Sequence, residues 1–146
     1  EEMFKSTQHN LPVDVAIFCA AVADFKIKER KKEKIKKKDF INLNLEKNID
    51  ILNYVSNHNS LRPQLVIGFA AETSNIEENS RKKLMEKNCD WIIANDISNK
   101  SIGFDSDFNE VTILYKNKKI NDEKLYMKKK SEIANEIIDR VVGQLN

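Results

Sequence analysis

Leu65-Val-Ile-Gly-Phe-Ala-Ala71 and Trp91-Ile-Ile-Ala94, with Glu77-Glu-Asn-Ser-Arg-Lys-Lys-Leu-Met-Glu-Lys-Asn88 between them, decide the fold of this chain. The two outer runs are short, apolar and rich in β-branched or small residues, as strands buried on both faces of a parallel sheet are. The middle segment has acidic residues in its first turn and lysine in its last, the order that suits a helix dipole. Strand, helix, strand within about 30 residues is a βαβ unit. Upstream, Val13–Ala23 (VDVAIFCAAVA) reads as a further doubly buried strand, a central one, fed by what looks like the end of a helix. Asp50–Asn57 is a short helix with Ile51, Leu52 and Val55 on one side, and Ile41–Leu45 alternates as a half-exposed strand. Downstream, Glu110–Tyr115 and a partner around Ile120 form a hairpin turning at Lys116–Lys119. Ser131–Leu145 then carries an i, i+4 apolar stripe through Ile133, Ile137, Val141 and Leu145, with Ala134, Ile138 and Val142 beside it.

These elements predict one α/β domain over residues 1–146: a Rossmann-like three-layer sandwich with a mainly parallel sheet and a C-terminal β-hairpin. A doubly wound domain normally has an earlier strand and loop. The chain is therefore expected to be a partial domain, the C-terminal portion of a larger unit.

Composition excludes several function classes. Three glycines, Gly68, Gly103 and Gly143, stand too far apart for a Walker loop or a GxGxxG turn. Two cysteines are too few for a four-Cys zinc site, and Cys19, Cys89, His9 and His58 lack the close pairwise spacing of a Cys2His2 site; the metal ligands are not legible. No apolar run reaches the ~18–20 residues that span a bilayer, and the first ten residues lack the pattern of a signal peptide. Cys19 and Cys89 lie in apolar segments and are expected to be buried thiols. A cytoplasmic location with no membrane partner follows as an expectation.

The charge is concentrated. Residues 26–38 (KIKERKKEKIKKK) hold nine basic and two acidic side chains, a local +7 against a net charge of +2 for the whole chain. Three readings compete: a solvated surface loop, a nucleic-acid patch, and a loop that brings lysines onto a nucleotide's phosphates. Phe25 and Phe40 flank the segment, but no aromatics are interleaved for base stacking, so no nucleic-acid partner is expected. Its position favours the third reading, because it starts just after the C-terminal end of an apolar strand, where open α/β sheets bind ligands. Ala20, Ala21 and Ala23 are small enough to let a ligand approach the backbone, and Asp24 places a carboxylate at the strand's exit.

Ala20-Ala-Val-Ala-Asp24 followed by Lys34-Ile-Lys-Lys37, and Gly68-Phe-Ala-Ala-Glu-Thr73 with Lys83, Lys87 and Ala94-Asn-Asp96 behind it, form a distinctive ordered set. Together they resemble phosphopantothenoylcysteine synthetase, the ligase half of the bifunctional bacterial coenzyme A biosynthesis flavoprotein, from about Val13 to the C-terminus. The resemblance implies a Rossmann-like homodimer that joins 4′-phosphopantothenate to cysteine with CTP and Mg2+ through an acyl-cytidylate. It implies FMN only if a decarboxylase domain exists in the parent protein. By the same resemblance Lys34 is the catalytic loop lysine, with Lys36 and Lys37 completing the basic motif. Phe18, Cys19, Ala20 and Asp24 contact the nucleotide at the strand end. Ile49, Asp50, Ile51 and Leu52 surround the cytidine, with Ile49 where the family has proline. Phe69 packs near the nucleotide, and Lys83 and Lys87 reach its phosphates. The family's N-terminal motifs, including an Asn that stabilises the acyl intermediate, lie outside this chain. The hairpin near residues 110–120 resembles the family's dimerisation region.

The chemistry agrees with the assignments. Attack of a carboxylate on an α-phosphate builds charge on the phosphoryl oxygens and on pyrophosphate, which lysines and a metal ion stabilise. Lys83 and Lys87, at i, i+4, share one helix face. Plainer roles stand beside these: Lys83 and Lys87 as solubilising residues, Phe69 and Trp91 as core, Asp24 as a turn cap, Asn95-Asp96 as a strand end. Asp105 and Asp107 read as a polar loop, and His9 and His58 as solvated. The alternative function is a nucleotide- or nucleic-acid-binding module lacking catalytic activity of its own.

Overall fold

The computed structural model describes residues 1–29, 42–98 and 106–146. In chain order the first elements are α1 (Glu2–Asn10), β1 (Val15–Phe18), β2 (Phe25–Ile27), β3 (Leu45–Lys47) and α2 (Ile51–Ser56). β4 (Leu65–Glu72), α3 (Ile76–Glu86) and β5 (Trp91–Asp96) follow, then β6 (Phe108–Tyr115), β7 (Glu123–Lys129) and α4 (Lys130–Leu145). A five-stranded sheet in the order β1-β4-β5-β6-β7 carries the fold. β1, β4 and β5 run parallel, and β6 and β7 are added antiparallel.

The βαβ unit forms as its pattern predicts. Leu65, Val66, Ile67, Ile92 and Ile93 are at most 3% exposed, because these strands are covered on both faces. On one face Leu84 of α3 packs with Ala70, Cys89, Ile92, Ala94 and Leu114, joined by Leu52 of α2. On the other, Ile133, Ile137 and Val141 of α4 pack against Leu65, Ile67, Trp91, Ile93, Ile113 and Tyr115. Two helical layers around one sheet make the expected three-layer α/β architecture. Gly68 allows α2 its close approach: a Cβ there would stand 2.9 Å from both Ile92 Cδ1 and Leu52 Cδ2.

α3 ends in a Schellman motif. Asn88 adopts φ 56°, the Cys89 amide donates to the Leu84 carbonyl, and the Asn88 amide donates to the Met85 carbonyl. Asparagine tolerates the left-handed conformation that this cap requires. Arg62 then ties three segment ends together. Its guanidinium donates to the carbonyls of Ser56, Pro63 and Asn88 and to both carboxylate oxygens of Asp90, at 2.8–3.1 Å. Asp90 in turn accepts from the Val66 amide at 2.7 Å.

The fold corrects five expectations. Val13–Ala23 is not a doubly buried central strand. Pairing stops at Phe18, β1 bonds to β4 on one side, and Ile17 is 38% exposed. Its edge place among the described residues leaves one side without the neighbour that an interior strand needs. Cys19, beyond the last paired residue, is exposed, while Cys89 is buried as expected. The strand expected at Ile41–Leu45 forms instead at Leu45–Lys47, where it pairs with Phe25–Ile27. Ile120 belongs to the hairpin turn rather than to β7, because Asp122 accepts from the Tyr115 amide and closes a longer loop. In α4, Ile133, Ile137 and Val141 are buried, but Leu145, the last helical residue, is 38% exposed. Among the described residues no helix is long and apolar enough to cross a membrane.

Candidate functional site

A cavity of about 710 Å³ opens at the carboxyl ends of β1 and β4. Every predicted nucleotide-contacting residue that the structure describes lines it, although these residues come from four separate stretches of chain. Phe18, Cys19, Ala20 and Asp24 arrive from the end of β1 and the segment after it. The small side chains there leave room that a continued strand with bulky residues would fill. Ile49, Asp50, Ile51 and Leu52 form the entry to α2, Phe69 comes from β4, and Lys83 and Lys87 come from α3. Lys34, Lys36 and Lys37 lie outside the described residues, as does Asp105. β2 and β3 pair next to the lining residues Asp24 and Asn48, Phe25 opposite Lys47 and Ile27 opposite Leu45.

Local sequence explains how each group is held. Asp50 is the N-cap of α2, its carboxylate accepting from the Asn53 amide at 2.9 Å. The same carboxylate pairs with Lys87. Burial pushes the Asp50 carboxyl up, but the Lys87 hydrogen bond, the Asn53 amide and the charges of Lys87 and Lys83 outweigh it and hold it below the usual range. The hydrogen bond to Asp50 in turn raises the Lys87 ammonium above its usual value, against the opposing effect of burial. Lys83 donates to the Phe69 carbonyl at 3.1 Å, so this half-buried lysine is aimed across the strand end rather than into bulk water. Lys83 and Lys87 are thus more than solubilising residues. Phe69 serves both expectations, packing against the core while lining the cavity.

Asn48 locks the cavity's outer wall. Its side chain donates to the Ala23 carbonyl at 2.7 Å, and its amide donates to the Asp24 carbonyl at 2.8 Å. That bond sets the backbone at Asp24, while the Asp24 side chain remains available at the rim. Sequence reasoning missed several other lining residues, among them Met3 and Thr7 of α1, Glu72 at the end of β4, and Asn79 and Glu86 of α3. The i, i+4 spacing of Met3 and Thr7 was a signal for a shared helix face, but nothing local says what that face meets. Trp91 is 4% exposed and belongs to the core. Asp96 ends β5 and accepts from the amide and hydroxyl of Ser98, in keeping with a strand end. His58 is not solvated as expected: its Nδ1 accepts from the Leu61 amide at 3.0 Å and holds the turn that leads to β4.

Fold and cavity define a class: an α/β domain with a cavity at the carboxyl ends of parallel strands, where such sheets bind ligands, with lysines on one wall and small residues on another. The chain belongs to the family described as DFP, the DNA/pantothenate metabolism flavoprotein C-terminal domain, which it matches over residues 1–145. It is 37% identical over 144 residues to the coenzyme A biosynthesis bifunctional protein CoaBC of Haemophilus influenzae, covering 97% of this chain and 35% of that protein. To CoaBC of Bacillus subtilis it is 39% identical over 131 residues, covering 89% of this chain and 31% of that protein. The chain therefore spans about a third of the length of these relatives. A crystal structure of the C-terminal domain of CoaBC superposes with a TM-score of 0.73 at 35% identity, over 99% of this chain and 61% of that one. The DNA/pantothenate metabolism flavoprotein from Streptococcus pneumoniae shares the fold at a TM-score of 0.71.

Proposed function

We propose that this chain is the nucleotide-handling portion of a CTP-dependent phosphopantothenate–cysteine ligase in coenzyme A biosynthesis. The observation that carries the reading is the convergence of four separate sequence stretches, chosen for their resemblance to such a ligase, on one cavity at the strand ends. In the reaction, a carboxylate oxygen of 4′-phosphopantothenate attacks the α-phosphorus of CTP, and pyrophosphate leaves. The cysteine amine then attacks the acyl carbon, CMP leaves and an amide forms. Lys83 and Lys87 are placed to bind phosphate oxygens, and Lys34 is assigned to the charge that builds on the reacting phosphate. The small residues at positions 20, 21 and 23 and the entry to α2 accommodate the nucleoside.

Among the described residues no three His, Cys, Asp or Glu side chains converge as a metal cage. Mg2+ fits this site as a cation held largely by the triphosphate and water, as is common for that ion. A flavin would belong to a separate decarboxylase domain, and no residue here is assigned to it. A cytoplasmic homodimer that uses the β6–β7 edge completes the reading; that edge exposes Tyr126 and Met127 at 69% and 61%.

The test is turnover by the full-length protein with 4′-phosphopantothenate, cysteine and CTP, followed by pyrophosphate and CMP release. Lys34→Gln is expected to abolish turnover and leave the melting temperature unchanged. Turnover with ATP but not CTP would overturn the nucleotide assignment. Binding of CTP without turnover in the full-length protein would favour the non-catalytic binding module.

A further inference from the structure

α1 brings Met3 and Thr7 to the cavity, yet none of its residues is buried. Two stripes run along it at i, i+4 spacing, so each pair shares one side of the helix. Phe4 and Gln8 form the first stripe. The Phe4 ring meets Tyr54 of α2 edge to face at 4.8 Å between centroids, and the Gln8 amide donates to the Tyr54 hydroxyl at 3.1 Å. Met3 and Thr7, one residue earlier in each turn, form the second stripe and line the cavity. The polar and ring contacts that α1 makes with the rest of the described chain converge on Tyr54. That ring is backed by His58 at 5.5 Å, and His58 is itself fixed by the Leu61 amide.

The walls of the cavity differ in charge. α3 contributes Lys82, Lys83 and Lys87 against one acid, Glu86, whereas α1 contributes no charged group to it. The Thr7 hydroxyl already donates to the Met3 carbonyl at 2.9 Å. A wall with a net positive balance and an uncharged wall divide the cavity as a nucleoside triphosphate is divided, with phosphates toward α3 and the nucleoside toward α1.

We propose that α1 is the nucleoside-side wall and that Tyr54 is the positioning residue that holds it there, so that docking of α1 on Tyr54 sets nucleotide affinity. The inference rests on the cavity being a nucleotide site. A wall that is docked for only a fraction of the time weakens apparent affinity by that fraction. Loss of an aromatic pair and one hydrogen bond is therefore expected to weaken binding about five- to tenfold.

The experiment measures Kd for the CTP–Mg2+ complex by calorimetry, and KM and kcat by pyrophosphate release, in the full-length protein. Tyr54→Ala and Phe4→Ala are each expected to raise Kd and KM about five- to tenfold while kcat stays within about twofold. Tyr54→Phe keeps the ring pair and is expected to restore most of the affinity. Phe4 lies on a helix without buried residues, so its variant folds even where a Tyr54 variant does not. Unchanged Kd in Phe4→Ala and Tyr54→Ala overturns the inference, as does a fall in kcat that tracks a lost melting temperature. A wild-type protein that binds no nucleoside triphosphate refutes the nucleotide site itself and this inference with it. Wild-type binding with insensitive variants refutes this inference alone.

Discussion

Replacing Asp50 separates two contributions that meet at one carboxylate. It caps α2 through the Asn53 amide and pairs with Lys87 of α3. Asparagine caps a helix as well as aspartate does, so Asp50→Asn removes the ion pair and keeps the cap. The two side chains are 40% and 31% exposed, so solvent screening limits the pair to about 0.5 kcal/mol. Asp50→Ala also removes the cap, for about 1 kcal/mol more. At about 4 °C per kcal/mol for a domain of this size, the expected losses in Tm are about 2 °C for Asn and about 6 °C for Ala. The pH dependence has a definite sign. Asp50 has a lowered pKa when folded, so its contribution is complete above the unfolded value of 3.8 and disappears as pH falls through the folded one. The Lys87 contribution is complete below 10.5 and disappears as pH rises through its raised folded value. Thermal unfolding of the three proteins from about pH 2 to pH 9 should show a wild-type-to-Asn gap that is flat near neutrality and closes in acid. A gap that persists at pH 2, or an Asn variant as unstable as the Ala variant, would refute this division.

Three more predictions follow from other parts of the molecule. Arg62→Ala strips five hydrogen bonds from half-buried acceptors and leaves Asp90 unpaired; denaturant unfolding should show a loss of about 3 kcal/mol, and a loss below 1 kcal/mol would contradict the tie described here. Gly68→Ala forces Leu52 and Ile92 to shift from a Cβ at 2.9 Å; it should cost about 1–3 kcal/mol and weaken nucleotide binding through the entry to α2, which calorimetry would detect. Under native conditions a thiol reagent should label exposed Cys19 and spare Cys89, whose thiol burial pushes up to about 11. CTP with Mg2+ should slow labelling of Cys19, and rapid native labelling of Cys89 would contradict the packing.

Much of the architecture was legible in the sequence because its signals are local. Period, dipole order and apolar runs identify β4, α3, β5 and α4 within a few residues, and each buries the face that its pattern marks. Val13–Ala23 misled because an apolar run does not distinguish a paired interior strand from a short edge strand followed by a small-residue cavity wall. Here the small residues answer to the cavity rather than to sheet packing. Ile120 misled because an isolated apolar residue reads as strand, while the side chain that shapes the turn is Asp122, bonded to Tyr115 and paired with Arg81 of α3.

The sequence by itself determined the βαβ order and the ordered motifs that mark the family. These depend on residue type and spacing, and both are written along the chain. Only the tertiary structure decided that Asp50 faces Lys87, that Lys83 turns to the Phe69 carbonyl, and that α1 closes the cavity by way of Tyr54. Each of these joins residues 14 to 50 positions apart. Such contacts are set by how helices pack across a twisted sheet, a property that no local pattern encodes.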